Sequence, residues 1–284
     1  MHTTLISAST DLARHTSGPA WLFVDCRFDL ADPKAGQAHH RAGHIPGAVY
    51  AHLDRDLAGP VTATSGRHPL PTPESFAATL SAWGVSNTTQ VIAYDADTGM
   101  FAARLWWLLR WVGHRAVAVL DGGYRAWLAA GLRGSADIPT RTPTHFVARP
   151  DRSAWLETKE VADKVARSGW RLLDARAPER FAGEVEPLDT VAGHIPGAVN
   201  HPYASNLTTD GRLLGADQLA ARFDQSQHGV NNDHTIAMCG SGVTACHLLL
   251  ALELAGKSGA KLYAGSWSEW IRDPSRPVAT GRSG

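Results

Sequence analysis

The chain has 284 residues, 44% of them hydrophobic, with 27 Lys+Arg balanced by 27 Asp+Glu. That length suits two domains with a core each, and a formal net charge of zero argues against a nucleic-acid binder, which carries a basic bias. No run approaches the roughly 18 consecutive apolar residues of a membrane span, and Met1–Ile6 lacks the basic-then-apolar pattern of a secretory signal, so neither is expected.

In chain order, Trp21–Asp25 is the first continuous apolar run of β type, followed by a helix over Thr72–Trp83 with Thr72 as N-cap, Pro73 at N1 and Glu74 in the first turn. A strand at Val91–Asp95, a helix at Phe101–Val112 and a strand at Ala116–Leu120 follow. From about Gly131 the periodicity stops, and Pro139, Pro143 and Pro150 punctuate a polar stretch, which reads as a linker over residues 134–153. Domains are therefore expected over 1–133 and 154–284. Beyond the linker come helices near Thr158–Arg167, Ala216–Gln225 and Val243–Ala255, and strands at Arg171–Asp174, Thr235–Met238 and Lys261–Tyr263. Continuous apolar strands alternating with helices imply an α/β fold with mostly parallel sheets covered on both faces.

The two halves repeat. Gly43-His44-Ile45-Pro46-Gly47-Ala48-Val49 recurs letter for letter 150 positions later as Gly193-His194-Ile195-Pro196-Gly197-Ala198-Val199. Asp25-Cys26-Arg27 matches Asp174-Ala175-Arg176, and Asp121-Gly122-Gly123-Tyr124-Arg125-Ala126-Trp127 matches Ala264-Gly265-Ser266-Trp267-Ser268-Glu269-Trp270. One difference stands out: where the first copy has Asp95 after a buried strand, the second has Cys239 followed by Gly240-Ser241-Gly242-Val243-Thr244. A single active site in the second half is expected.

Cys239, Cys26 and Cys246 are an odd number of cysteines in a large chain, so no disulfide framework is expected, and a reducing cytoplasm is the expected compartment. Most buried cysteines are small packing residues. Gly-x-Gly directly after Cys239 is poor packing but a good anion cradle: glycines let loop N–H groups turn inward, and the helix beginning near Val243 adds the positive end of its dipole. Settings of this kind favour thiolates. Ser241 and Thr244 add hydroxyls, and the apolar helix behind is a rigid support. Metal-ligand spacing is absent around Cys239, and no metal or organic cofactor is expected.

The tandem HIPGA elements, the Asp-x-Arg strand ends, the Asp-Gly-Gly-x-x-x-Trp element and the CGSGVTA loop together resemble the two-domain rhodanese-type sulfurtransferases, from about Trp21 to Trp270 and in the family's order. The resemblance implies two rhodanese-like α/β domains, each with a mostly parallel five-stranded sheet, the first inactive and the second catalytic. It implies a ping-pong reaction in which Cys239 takes a sulfane sulfur from a small anionic donor, becomes a persulfide and passes the sulfur to cyanide or a thiol, a thioredoxin-like protein included. A monomer is expected. A phosphatase or arsenate reductase on a related fold resembles Cys-x5-Arg, but the sixth residue after Cys239 is Ala245. A silent binding module would carry a replaced cysteine, as Asp95 does in the first copy.

CGSGVTA resembles 3-mercaptopyruvate sulfurtransferases, whereas loops rich in Arg or Lys resemble thiosulfate-preferring enzymes. Thiosulfate is a dianion that gains from cations; mercaptopyruvate carries one carboxylate and a carbonyl that hydroxyls polarise. The loop residues Gly240, Ser241, Gly242, Val243 and Thr244 carry no charge. By the same resemblance Arg180 is the donor-binding arginine, but the second arginine usual in mercaptopyruvate enzymes is missing from Glu184–Ala192. Asp54 and His68 match positions that act with the loop serine, here Ser241, in a Ser–His–Asp relay. His44, His194, Asp25 and Asp174 occur in both copies and so read as structural. A complete but inactive first half suggests that its residues close over the Cys239 loop.

Overall fold

The computed structural model describes Met1–Thr16 and Gly18–Arg282; Ser17, Ser283 and Gly284, within the expected domain spans, lie outside the described residues. The chain forms two compact units. One comprises Met1–Gly59, Leu70–Asp151 and Thr209–Leu213, the other Pro60–Pro69, Arg152–Thr208 and the chain from Leu214 onward.

In the first unit the strands are β1 (Leu5–Ile6), β2 (Trp21–Asp25), β3 (Val49–Tyr50), β4 (Gln90–Tyr94) and β5 (Val117–Leu120). They form one sheet in the order β1-β5-β4-β2-β3, every pairing parallel. All five residues of β4 and four of β2 are buried, which explains their unbroken apolar sequences. Phe23, Ile45, Ile92, Tyr94, Leu120 and Trp127 make part of one core cluster beside the sheet. The helix expected over Thr72–Trp83 runs over Pro73–Ala82, with Thr72 Oγ1 accepting the Ser75 N–H at 3.1 Å. The second expected helix runs over Ala102–Trp111.

The second unit repeats this plan with β6 (Trp155–Leu156), β7 (Arg171–Asp174), β8 (Ala198–Asn200), β9 (Thr235–Met238) and β10 (Lys261–Tyr263), in the order β6-β10-β9-β7-β8, again all parallel. Its core gathers Leu172, Phe181, Ile195, Ile236, Met238, Tyr263, Trp267 and Trp270. The helix expected over Val243–Ala255 runs over Thr244–Leu254, and Ala245 to Leu252 are all buried, as an all-round apolar helix requires.

Register fixes the equivalence of the copies. Asp25 pairs with Tyr94, and Asp174 pairs with Met238, so the next residues, Asp95 and Cys239, occupy the same place at the end of the central strand. The other shared motifs hold each copy together. Arg27 Nε bonds both Asp25 oxygens at 2.9 and 3.0 Å while its Nη2 reaches the Gly43 carbonyl at 2.6 Å. Arg176 does the same with Asp174 at 3.1 and 3.0 Å and the Gly193 carbonyl at 2.8 Å. His44 and His194 are fully buried, with Nδ1 against the carbonyls of His40 (2.7 Å) and Phe181 (2.9 Å). These residues staple strand ends to the HIPGA turns. Among the described residues no helix is long and apolar enough to cross a membrane.

Candidate active site

The loop after β9 is a cradle closed around Cys239. Its sulfur accepts the N–H of Ser241 at 3.4 Å and of Gly242 at 3.1 Å. Gly242 makes this possible: its φ is +81°, and a Cβ there would lie 2.4 Å from the Ala264 carbonyl oxygen. Val243 is buried and Thr244 half-buried, and Thr244 is the first residue of the helix whose amide end faces the loop. A second strand of support comes from Ser266–Ser268. Ser266, at φ +52°, accepts the Cys239 N–H on Oγ at 3.1 Å and donates to the Tyr263 carbonyl at 2.8 Å. The Trp267 and Ser268 N–H groups donate to the Cys239 and Gly240 carbonyls at 3.0 and 2.9 Å. Cys239 as a whole is only 2% exposed.

The first unit shows what such a cradle holds. There Asp95 accepts the N–H groups of Asp97 (3.2 Å) and Gly99 (2.9 Å) on Oδ1, and of Phe101 (2.8 Å) and Ala102 (3.2 Å) on Oδ2. Burial raises its pKa, and the N–H groups of Gly99, Ala102 and Phe101 offset part of the effect. The carboxylate fills the nest from within; the strand expected to reach Asp95 ends at Tyr94, as its counterpart ends at Met238. Burial, with Asp25 and Asp95 nearby, pushes the Cys26 thiol well up.

Two cations approach the Cys239 loop from outside it. A Cβ built at Gly240 would lie 2.9 Å from Arg67 Nη2, 3.5 Å from Arg180 Nη2 and 3.6 Å from Arg180 Nη1. The loop is uncharged as its sequence shows, but its surroundings are not. Both guanidiniums are held by acids: Arg180 Nη2 by Glu186 at 2.7 Å and Asp189 at 3.2 Å, Arg67 Nη1 by Asp189. Arg176 Nη1 lies 3.5 Å from Glu186. Burial works against the charge of Arg176, and Asp174 followed by Glu186 outweigh it and raise its pKa. Burial raises the Asp189 pKa, with Arg67 and Arg180 offsetting part of the effect.

Ser241 and His68 meet: Oγ and Nδ1 are 2.7 Å apart, and both residues are buried. His68 belongs to Pro60–Pro69, which is part of the second unit. Asp54 lies in the first unit, exposed, in the short helix Leu53–Asp56. Sequence reasoning missed Arg67, Ser266, Ser268, Glu186 and Asp189. Arg67 stands directly before His68 in Gly66-Arg67-His68-Pro69, and that adjacency was the available signal.

The chain matches the rhodanese-like domain family twice, over residues 8–130 and 157–273. It is 49% identical over 283 residues (99% of this chain, 100% of the relative) to a Pseudomonas aeruginosa protein named "Probable 3-mercaptopyruvate sulfurtransferase". It is 34% identical over 276 residues (94% and 91%) to the thiosulfate sulfurtransferase of Rattus norvegicus. Among solved structures, the 3-mercaptopyruvate sulfotransferase SseA from Escherichia coli superposes with a TM-score of 0.81 at 34% identity, covering 94% of this chain and 100% of that one. With its cradle at Cys239, its carboxylate-filled counterpart at Asp95 and two matched copies of the domain, the chain belongs to the rhodanese-like family.

Proposed function

We propose that the chain is a sulfurtransferase that carries a sulfane sulfur on Cys239 and prefers 3-mercaptopyruvate to thiosulfate as donor. The observation that carries this reading is the sulfur of Cys239 receiving two loop N–H groups, beside a serine–histidine pair. In the first half-reaction the Cys239 thiolate attacks the donor sulfur, the carbon–sulfur bond breaks, and the proton of the donor thiol ends on the departing carbon, giving pyruvate. With thiosulfate the sulfur–sulfur bond breaks and sulfite leaves. In the second half-reaction cyanide or a thiol, such as that of a thioredoxin-like protein, takes the outer sulfur and restores the thiolate. The N–H groups that hold the thiolate also hold the charge of the persulfide.

Gly240, Gly242, Val243 and Thr244 shape the cradle, Arg180 anchors the donor's anionic end, and Ser241 faces the donor carbonyl. With the proton on His68 Nδ1, His68 donates to Ser241 Oγ, and the serine hydrogen is left for the enolate oxygen that develops as carbon departs. Asp54 is proposed as a further member of this relay by its match to the family position. None of the three cysteines forms a disulfide and all three are buried, which supports a reducing, cytoplasmic setting, and the reaction calls for no organic cofactor and no second copy of the chain.

Steady-state kcat/KM measured in parallel is expected to be higher for mercaptopyruvate than for thiosulfate; the reverse order would show that the serine–histidine pair does not set the preference. Arg180→Ala is expected to weaken both donors by about 1.5–3 kcal/mol in kcat/KM, the worth of a charge-assisted bond. The change also leaves the buried Glu186 carboxylate without its guanidinium partner at 2.7 Å, next to the place where an anion binds. Unchanged kcat/KM in this variant would remove Arg180 from the donor site.

A further inference from the structure

Within the second unit, Pro60–Pro69 brings two consecutive side chains to one loop. His68 bonds Ser241, and Arg67 stands over Gly240. The base of Arg67 is fixed: its N–H donates to Ser268 Oγ at 3.1 Å, and the Ser268 N–H in turn donates to the Gly240 carbonyl at 2.9 Å. The preceding Gly66 packs so closely that a Cβ would lie 2.6 Å from the Gly265 carbonyl oxygen. The Arg67 side chain is 28% exposed and pairs through Nη1 with one oxygen of Asp189, whose other oxygen lies 3.2 Å from Arg180 Nη2. Asp189 therefore spans the two arginines, and both converge on the spot above Gly240 that lacks a side chain.

We infer that Arg67 is a specificity-determining residue, forming with Arg180 a two-cation seat for the anionic end of the donor whose strength Asp189 restrains. The inference rests on the sulfurtransferase reading. A dianion such as thiosulfate gains from both guanidiniums, whereas a monocarboxylate needs one, so Arg67 governs the ratio of the two donors more than the rate of either.

The test is the ratio of kcat/KM for thiosulfate to that for mercaptopyruvate in the full chain and in Arg67→Ala, Arg67→Lys and Asp189→Asn. Arg67→Ala is expected to lower the ratio by about threefold or more, and Arg67→Lys to recover part of it, since lysine keeps the charge but not the fork. Asp189→Asn removes negative charge from both arginines and is expected to raise the ratio. A clamp that merely fastens Pro60–Pro69 to the acidic loop predicts something else: both Arg67→Ala and Asp189→Asn lower activity with the two donors alike. Ratios that shift by less than about threefold in Arg67→Ala, or that fall in Asp189→Asn, overturn the inference. Wild-type chain that transfers sulfur from neither donor would instead refute the sulfurtransferase reading, so the two failures are distinguishable.

Discussion

Cys239→Ser is expected to abolish sulfur transfer, with turnover falling by more than about a thousandfold for either donor, because the covalent carrier is lost. A serine hydroxyl at this position still fits the cradle, so folding survives, but it is not ionised and cannot hold a sulfane sulfur. The other two cysteines serve as controls, and Cys26→Ser and Cys246→Ser are expected to keep most activity. Cys26 lies in the first unit, where burial with Asp25 and Asp95 pushes its thiol away from ionisation, and its sulfur faces the Val24 carbonyl at 3.7 Å. Cys246 sits on the helix under the loop with its sulfur donating to the Gly242 carbonyl at 3.2 Å, a bond that a serine hydroxyl can replace. Activity retained in Cys239→Ser would end the assignment.

The second large effect is expected from Gly242→Ala. At φ +81° an alanine costs about 1–2 kcal/mol of backbone strain. Its Cβ would also sit 2.4 Å from the Ala264 carbonyl oxygen, so the loop has to move. Movement withdraws the Ser241 and Gly242 N–H groups from the sulfur, and the loss of one such donor in other enzymes costs about 100- to 1,000-fold in turnover. A drop of at least that size, with a small fall in Tm, is expected. Gly197→Ala is the matched control: its φ is +80°, yet nothing lies within 4 Å of the added Cβ, so it shares the backbone penalty without touching the cradle. Equal losses of activity in the two variants would show that the N–H geometry at Cys239 is not what matters.

Much of this was legible in the chain itself, for definable reasons. Strands such as Trp21–Asp25 and Thr235–Met238 are buried on both faces and so write continuous apolar runs. Thr72 and Pro73 mark a helix start by local chemistry. The short strands Leu5–Ile6, Val49–Tyr50, Trp155–Leu156 and Ala198–Asn200 write little apolar pattern of their own and are set by pairing with other strands, whereas Lys261–Tyr263, no longer than they are, stands out by its position before the Ala264–Trp270 element. The helix Ala35–Ala42 leaves no apolar stripe to read, because only Gly36 and His40 of its eight residues are buried.

At the site the same division holds. Cys239 and its glycines are contiguous, so the cradle could be read from adjacent letters. Arg67 and Asp189 are 122 positions apart, and only the folding of Pro60–Pro69 into the second unit brings them together. The acidic stretch Glu184–Ala192 reads as lacking a cation, yet Glu186 and Asp189 there hold arginines supplied from other segments. Asp95 reads as a missing nucleophile; the structure shows the positive counterpart, a carboxylate occupying the nest that Cys239 occupies in the other copy.

The central claim, that Cys239 carries the sulfur, is tested most directly by mass spectrometry of the intact chain after donor treatment without acceptor, followed by peptide mapping under non-reducing conditions. One added sulfur on the peptide containing Cys239, removed on addition of cyanide, is the predicted result. An added sulfur on Cys26 or Cys246, or no addition while transfer proceeds, would contradict it.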